Sequence, residues 1–145
     1  AVGGEPRKYR LPMPQVTGAD LSFSGIKTAF NGVVQRGMSN DPDFVTRELP
    51  HLCASLQQTI VGVLLRKVQK IARATGVKQI AMSGGVSANT VLRDQFEALA
   101  LREGWQAHVP PPAYCTDNGA MIAMAGHYLL AAGTTVGLDV VPHTR

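Results

Sequence analysis

Residues 79–96 read QIAMSGGVSANTVLRDQF, and this stretch limits the fold more than any other. It opens as a short apolar run bounded by turn residues, the pattern of a buried strand. It continues with Val91, Leu92, Phe96 and Leu99 at helical spacing, so a helix is expected from Ser87 or Asn89 up to Gly104. The junction holds Gly84 and Gly85. A glycine turn between strand and helix lets the backbone approach a ligand closely. The helix end beyond it offers unpaired N–H groups and a positive dipole end. Together these suit a phosphate or a sugar-phosphate. Ser87 or Asn89 can cap the helix, and Asn89 can instead aim its amide at a ligand. The spacing is neither G-x-G-x-x-G nor G-x-x-x-x-G-K-[ST]. A tight turn that only packs helix on sheet fits the same residues.

A second strand-to-helix junction follows in PPPAYCTDNGAMIAMAG, residues 110–126. Proline fixes its entry, and WQAHVP before it reads as a strand. Thr116 or Asp117 can serve as N-cap of the next helix. Alternatively, the Asp117 carboxylate stands at the carboxyl end of a sheet, where open α/β folds bind ligands. There it can hold a metal or orient a reacting group.

The rest of the chain sets these junctions in a layered fold. Leu49, Leu52, Leu56, Ile60, Val63, Leu64, Val68 and Ile71 predict a long helix from about Val45 to Thr75, closed by Gly76. A shorter helix is expected from Gly25 to about Val34, followed by QRGMSNDPDF as a loop. Residues 1–18 are rich in Gly and Pro, with LPMP as an edge strand and ADLSFS as its hairpin partner. The helix after Asp117 is apolar nearly all round and is expected to be largely buried, with Met82, Met121 and Met124 in the core. His127 is expected to be a satisfied core or interface group, and Trp105 to pack under a helix. The tail GTTVGLDVVPHTR reads as loop or terminal strand. Alternating helices and strands predict an α/β fold with some parallel pairing, and the early hairpin makes the expected sheet mixed.

Composition narrows the function classes. With 45% apolar and 17% charged residues in 145, the chain is globular rather than disordered. No apolar run approaches the roughly 20 residues that span a bilayer, so no membrane partner is expected. The start, AVGGEPRKYR, has no apolar h-region and no initiator Met, so a trimmed chain or a piece of a longer one is expected. Two cysteines without a C-x-x-C pair suit a reducing cytoplasm, and no nucleophilic role is expected for Cys115. The net charge is +4, and no acidic residue falls between Glu48 and Asp94. In that interval Arg66, Lys70 and Arg73 share a helical face, either solvated or turned toward nucleic acid phosphate.

Taken together, LSFSGIKTAF, LCASLQQTIVGVLLRKV, SGGVSANTVLRDQF and PPPAYCTDNGAMIAMAG resemble, in order and spacing, the C-terminal half of the tRNA adenosine threonylcarbamoyltransferases, the TsaD family. The resemblance covers essentially the whole chain. It implies that residues 1–145 form one lobe of an actin-like ATPase (ASKHA, ribonuclease H-like) fold, with helices flanking a mixed sheet. It implies transfer of a threonylcarbamoyl group from threonylcarbamoyl-AMP to the adenosine next to the anticodon of tRNAs that read codons starting with A. Gly84, Gly85, Ser87 and Asn89 would bind the adenylate or ATP, and Asp117 would ligate one divalent metal ion (iron, zinc or magnesium). Lys27 lies in a matched motif without an assigned role. The family's other metal ligands are two histidines at i, i+4 in the N-terminal lobe. Here His51, His108, His127 and His143 include no such pair. The metal is therefore expected to be shared with an N-terminal lobe outside these residues, and the chain alone to be inactive. Expected partners are that lobe, tRNA and the proteins of the threonylcarbamoyladenosine machinery. Two other readings use the same residues. One is a lobe of an actin-like small-molecule kinase or carbamoyltransferase. The other is a non-catalytic module that docks tRNA or protein through the basic face.

Overall fold

The structure, a computed structural model, describes residues 3–134. The tail expected as loop or strand lies outside the described residues from 135 onward, and His143 lies there with it. In chain order the elements are α1 (Ser24–Asn40), α2 (Phe44–Thr75), β1 (Gln79–Ala81), α3 (Thr90–Glu103), β2 (Gln106–His108) and α4 (Gly119–Ala131). Short 3-10 turns at Gly85–Ala88 and Pro112–Tyr114 precede α3 and α4.

The long helix forms where its periodicity places it, and Gly76 closes it in the left-handed region at φ 73. At about 1.5 Å per residue, α2 is about 48 Å long. Pro50 falls inside it. With no N–H, Pro50 leaves the Thr46 carbonyl without its usual partner. The Pro50 backbone instead meets the N-terminal segment: a Cβ on Gly4 would lie 1.9 Å from the Pro50 carbonyl oxygen.

That segment runs along α2 as a strap, and the hairpin expected from LPMP and ADLSFS does not form. The reason is where its backbone groups find partners. Glu5 N–H donates to His51 Nδ1 at 3.0 Å, and Tyr9 N–H donates to Ser55 Oγ at 3.2 Å. The Lys67 ammonium donates to the carbonyls of Val16 and Gly18 at 2.8 and 3.0 Å. Side chains of α2 thus satisfy groups that a partner strand would otherwise have to satisfy. Burial, and then the Glu48 carboxylate accepting from its hydroxyl, push the Tyr9 phenol up to about 12.

The region expected as a loop, residues 35–44, is mostly helix. α1 continues to Asn40, because Ser39 Oγ and Asn40 Nδ2 donate back to the carbonyls of Gln35 and Arg36. The turn shrinks to Asp41–Asp43, where Asp41 Oδ1 accepts from Asp43 N–H at 2.9 Å.

Among the described residues the expected mixed sheet is not observed. The two strands found pair in parallel, Gln79 with Gln106, Ile80 with Ala107 and Ala81 with His108. With α3 as crossover they make a βαβ unit. Its core is Ala72, Leu99, Ala100 and Trp105, flanked by Leu65, Val68, Ile80 and Ala107.

The burial expected for α4 is not observed. None of its side chains is buried: Met121 is 48% exposed, Met124 56% and Ile122 75%, and His127 is exposed as well. Met82 is half-buried. An all-apolar helix signals that something covers it, but not which part of a polypeptide does so. Among the described residues no helix is long and apolar enough to cross a membrane.

Candidate ligand cleft at two strand-to-helix loops

Because β1 and β2 are neighbouring parallel strands, the loops that leave them emerge at the same carboxyl edge. Open α/β sheets gather ligands at that edge. Residues 82–89 form the first loop. Gly84 has φ 84 and ψ 170, a conformation almost confined to glycine. Gly85 opens the 3-10 turn with an ordinary φ, and a Cβ there would meet nothing within 4 Å. Both glycines are exposed.

Ser87 is turned inward. It is 1% exposed, and its hydroxyl and its N–H donate to the Gly84 carbonyl at 2.6 and 2.9 Å. Asn89 caps α3: its Oδ1 accepts from Leu92 N–H at 3.1 Å and from Gln57 Nε2 at 3.0 Å. The first turn of α3 is therefore occupied by its own cap. The open part of the loop is the glycine pair, and the Asn89 Nδ2 donor makes no hydrogen bond among the described residues.

Residues 109–118 form the second loop. Neither Thr116 nor Asp117 caps α4. Asn118 does, its Oδ1 accepting from Met121 N–H at 3.1 Å while its Nδ2 donates to the Thr116 carbonyl at 2.8 Å. Asp117 is left exposed and makes no hydrogen bond or ion pair among the described residues. Lys27 is exposed on α1, and its side chain likewise makes none.

The two loops are fastened together by residues that the sequence did not single out. The Arg93 guanidinium, at the start of α3, donates from Nε to the Ser87 carbonyl at 2.6 Å. Its Nη2 donates to the Pro110 carbonyl and reaches Cys115 Sγ at 3.1 Å. Cys115 is 2% exposed. The Ser87 hydroxyl holds its thiol below the ordinary value, with burial opposing and Arg93 adding to the effect. A signal for Arg93 was present in the sequence. A cation near a helix N-terminus opposes the helix dipole, so such a residue is placed there for another contact.

The basic face expected on α2 divides. Arg66 and Lys70 are exposed and line a hollow of about 260 Å³ with Gln15, Asp20 and Ser22. Arg73 turns instead to α3, where Nε and Nη2 donate to the Glu103 carboxylate at 2.8 and 2.7 Å.

The described residues contain no group of three or more His, Cys, Asp or Glu that could hold a metal ion. Asp117 offers one oxygen ligand and Cys115 is engaged by Arg93, so these residues do not by themselves make a metal centre.

A parallel βαβ unit with a glycine turn and an exposed carboxylate on its carboxyl-edge loops defines an α/β protein of the kind whose ligands gather at that edge. Residues 1–124 match the family profile described as tRNA N6-adenosine threonylcarbamoyltransferase. Proteins curated under that name are similar throughout. The one from Porphyromonas gingivalis is 44% identical over 98% of this chain and 42% of its own length. That from Cytophaga hutchinsonii is 41% identical over 98% of this chain and 41% of its own. That from Symbiobacterium thermophilum is 42% identical over 97% of this chain and 40% of its own. The chain thus spans about two-fifths of the curated relatives it matches. It belongs to the tRNA N6-adenosine threonylcarbamoyltransferase (TsaD) family.

Proposed function

We propose that this chain supplies the adenylate-binding lobe of an enzyme that transfers a threonylcarbamoyl group from threonylcarbamoyl-AMP to tRNA. The acceptor is the N6 amine of the adenosine next to the anticodon, in tRNAs that read codons starting with A. The lobe is of the actin-like ATPase kind and acts in the cytoplasm with its companion lobe and the proteins of that modification pathway. The observation that carries the reading is the shared carboxyl edge, where an open glycine turn and an uncommitted carboxylate stand on loops joined through Arg93. Family membership favours this substrate class over a small-molecule kinase or carbamoyltransferase.

Each residue has a definite task in this reading. Gly85, with open space where a side chain would project, lets the adenylate's phosphate or ribose lie against the backbone. Gly84 sets the turn that presents it, and Ser87 holds that turn from inside. Asn89 fixes the start of α3 with Oδ1 and keeps its amide N–H groups for the nucleotide. Asp117, exposed on the neighbouring loop, would serve as one ligand of a divalent ion whose remaining ligands come from outside this chain. The adenosine amine attacks the acyl carbon of the adenylate and loses a proton, the acyl–phosphate bond breaks, and AMP leaves. Holding acyl donor and amine in line converts a bimolecular encounter into a positioned one.

The test is mass spectrometry of tRNA nucleosides after incubation with threonylcarbamoyl-AMP and unmodified tRNA. The full-length protein carrying this chain should produce threonylcarbamoyladenosine, and residues 1–145 alone should not. Product from the 145-residue chain alone, or none from the full-length protein with its partner proteins, would contradict the proposal.

A further inference from the structure

We infer that Arg93 is a positioning residue for this transfer: its guanidinium sets the distance between the glycine turn and the loop carrying Asp117. The inference rests on the functional reading above and adds a residue to it. Among the described residues, Asp117 makes no bond of its own, so its position follows from the chain that carries it. That chain is anchored two residues earlier at Cys115, which is buried. The hydrogen bonds within residues 110–117 are local, from Tyr114 N–H to the Pro111 carbonyl at 2.9 Å, from Cys115 N–H to the Pro112 carbonyl at 3.1 Å, and from the Cys115 thiol to the Pro111 and Pro110 carbonyls at 3.4 and 3.8 Å. Those that leave this stretch run to Arg93, at Pro110 and Cys115, and to Asn118, whose Nδ2 donates to the Thr116 carbonyl at 2.8 Å.

The first loop is held differently. Ser87 closes on Gly84 and Asn89 caps α3 through bonds of their own, so the Arg93 bond to the Ser87 carbonyl is one of several that hold this loop. Removing the guanidinium should therefore free the second loop while leaving the glycine turn formed. Adenylate binding and chemistry would then separate. A planar guanidinium reaches two carbonyls and a sulfur at once from one rigid fork, whereas an ammonium is a point donor on a flexible stem. Lysine is thus expected to preserve charge and fold without restoring the geometry.

The experiment uses the full-length protein carrying this chain, with Arg93→Lys, Arg93→Met and, as a reference, Asp117→Asn. The readouts are melting temperature, the Kd of a non-hydrolysable threonylcarbamoyl-adenylate analogue, and kcat for transfer to unmodified tRNA. Arg93→Lys should melt close to wild type and keep Kd within about threefold, while kcat falls by about a hundredfold, the scale of an ångström misplacement. Arg93→Met should behave like Arg93→Lys, and if it fails to fold, the lysine variant decides alone. A lysine variant with wild-type kcat, or one whose weakened Kd accounts for the whole loss, overturns the positioning role. If Asp117→Asn abolishes transfer while Arg93→Lys does not, only the role of Arg93 falls. If Asp117→Asn also transfers normally, the functional reading falls and this inference falls with it.

Discussion

At position 84 the backbone sits at φ 84 and ψ 170, while position 85 has an ordinary φ and empty space where a Cβ would project. The two glycines therefore answer to different demands. The fold requires the first, and Gly84→Ala should cost about 1–3 kcal/mol, read as a lower urea midpoint. Nothing within the described chain requires the second. The sequence showed both as one feature, because φ and open space cannot be read from letters. Asn89 was legible only as a choice between cap and ligand contact, and its hydrogen bond to Leu92 N–H shows the cap is made. Arg93 was passed over because its three acceptors lie in two loops that only the parallel pairing brings together. Glu103 carries a pH prediction at the same scale. Arg73, and then Gln69, donate to its carboxylate and lower it to about 2. A depressed folded-state pKa gives stability that is present above the unfolded value, about 4.3 for Glu. That stability is lost as pH falls from there toward about 2. Urea titrations should show this acid-side loss in the wild type and a smaller one in Glu103→Gln.

Among the elements, α2 and α3 were legible because apolar residues recur at helical steps and a glycine closes each in the left-handed region. The N-terminal strap was not. Its alternation suggested strands, and the competing partners, His51, Ser55 and Lys67, lie tens of residues away in sequence. The continuation of α1 was hidden by Gly37, Ser39 and Asn40, which read as loop. Gly37 has a packing reason, since a Cβ there would come within 2.3 Å of the Phe44 ring. Glycine to alanine inside a helix ordinarily stabilises by about 1 kcal/mol. Here Gly37→Ala should lower the melting temperature instead, as calorimetry can show. In the core of the βαβ unit, Leu99 is 4% exposed. Leu99→Ala should cost about 2–5 kcal/mol by chemical denaturation, with the spread set by how far the site can collapse.

For the whole molecule, the exposed apolar surface is the dominant fact. Ile122, Tyr128 and Leu130 on α4 are 75%, 67% and 75% exposed, and Val86 beside the glycine turn is 67% exposed. Apolar side chains this exposed along one helix mark a surface made to be covered. The chain spans about two-fifths of its relatives' length. Residues 1–145 alone should therefore associate as concentration rises, and Ile122→Lys with Leu130→Lys should weaken that association in sedimentation experiments. The central claim is narrower: the open turn at Gly85 admits an adenylate. Calorimetric titration of a non-hydrolysable threonylcarbamoyl-adenylate analogue into the full-length protein, wild type against Gly85→Val, tests it most directly. The account predicts that the valine variant melts like the wild type and loses adenylate binding. Equal binding by the two proteins would contradict it.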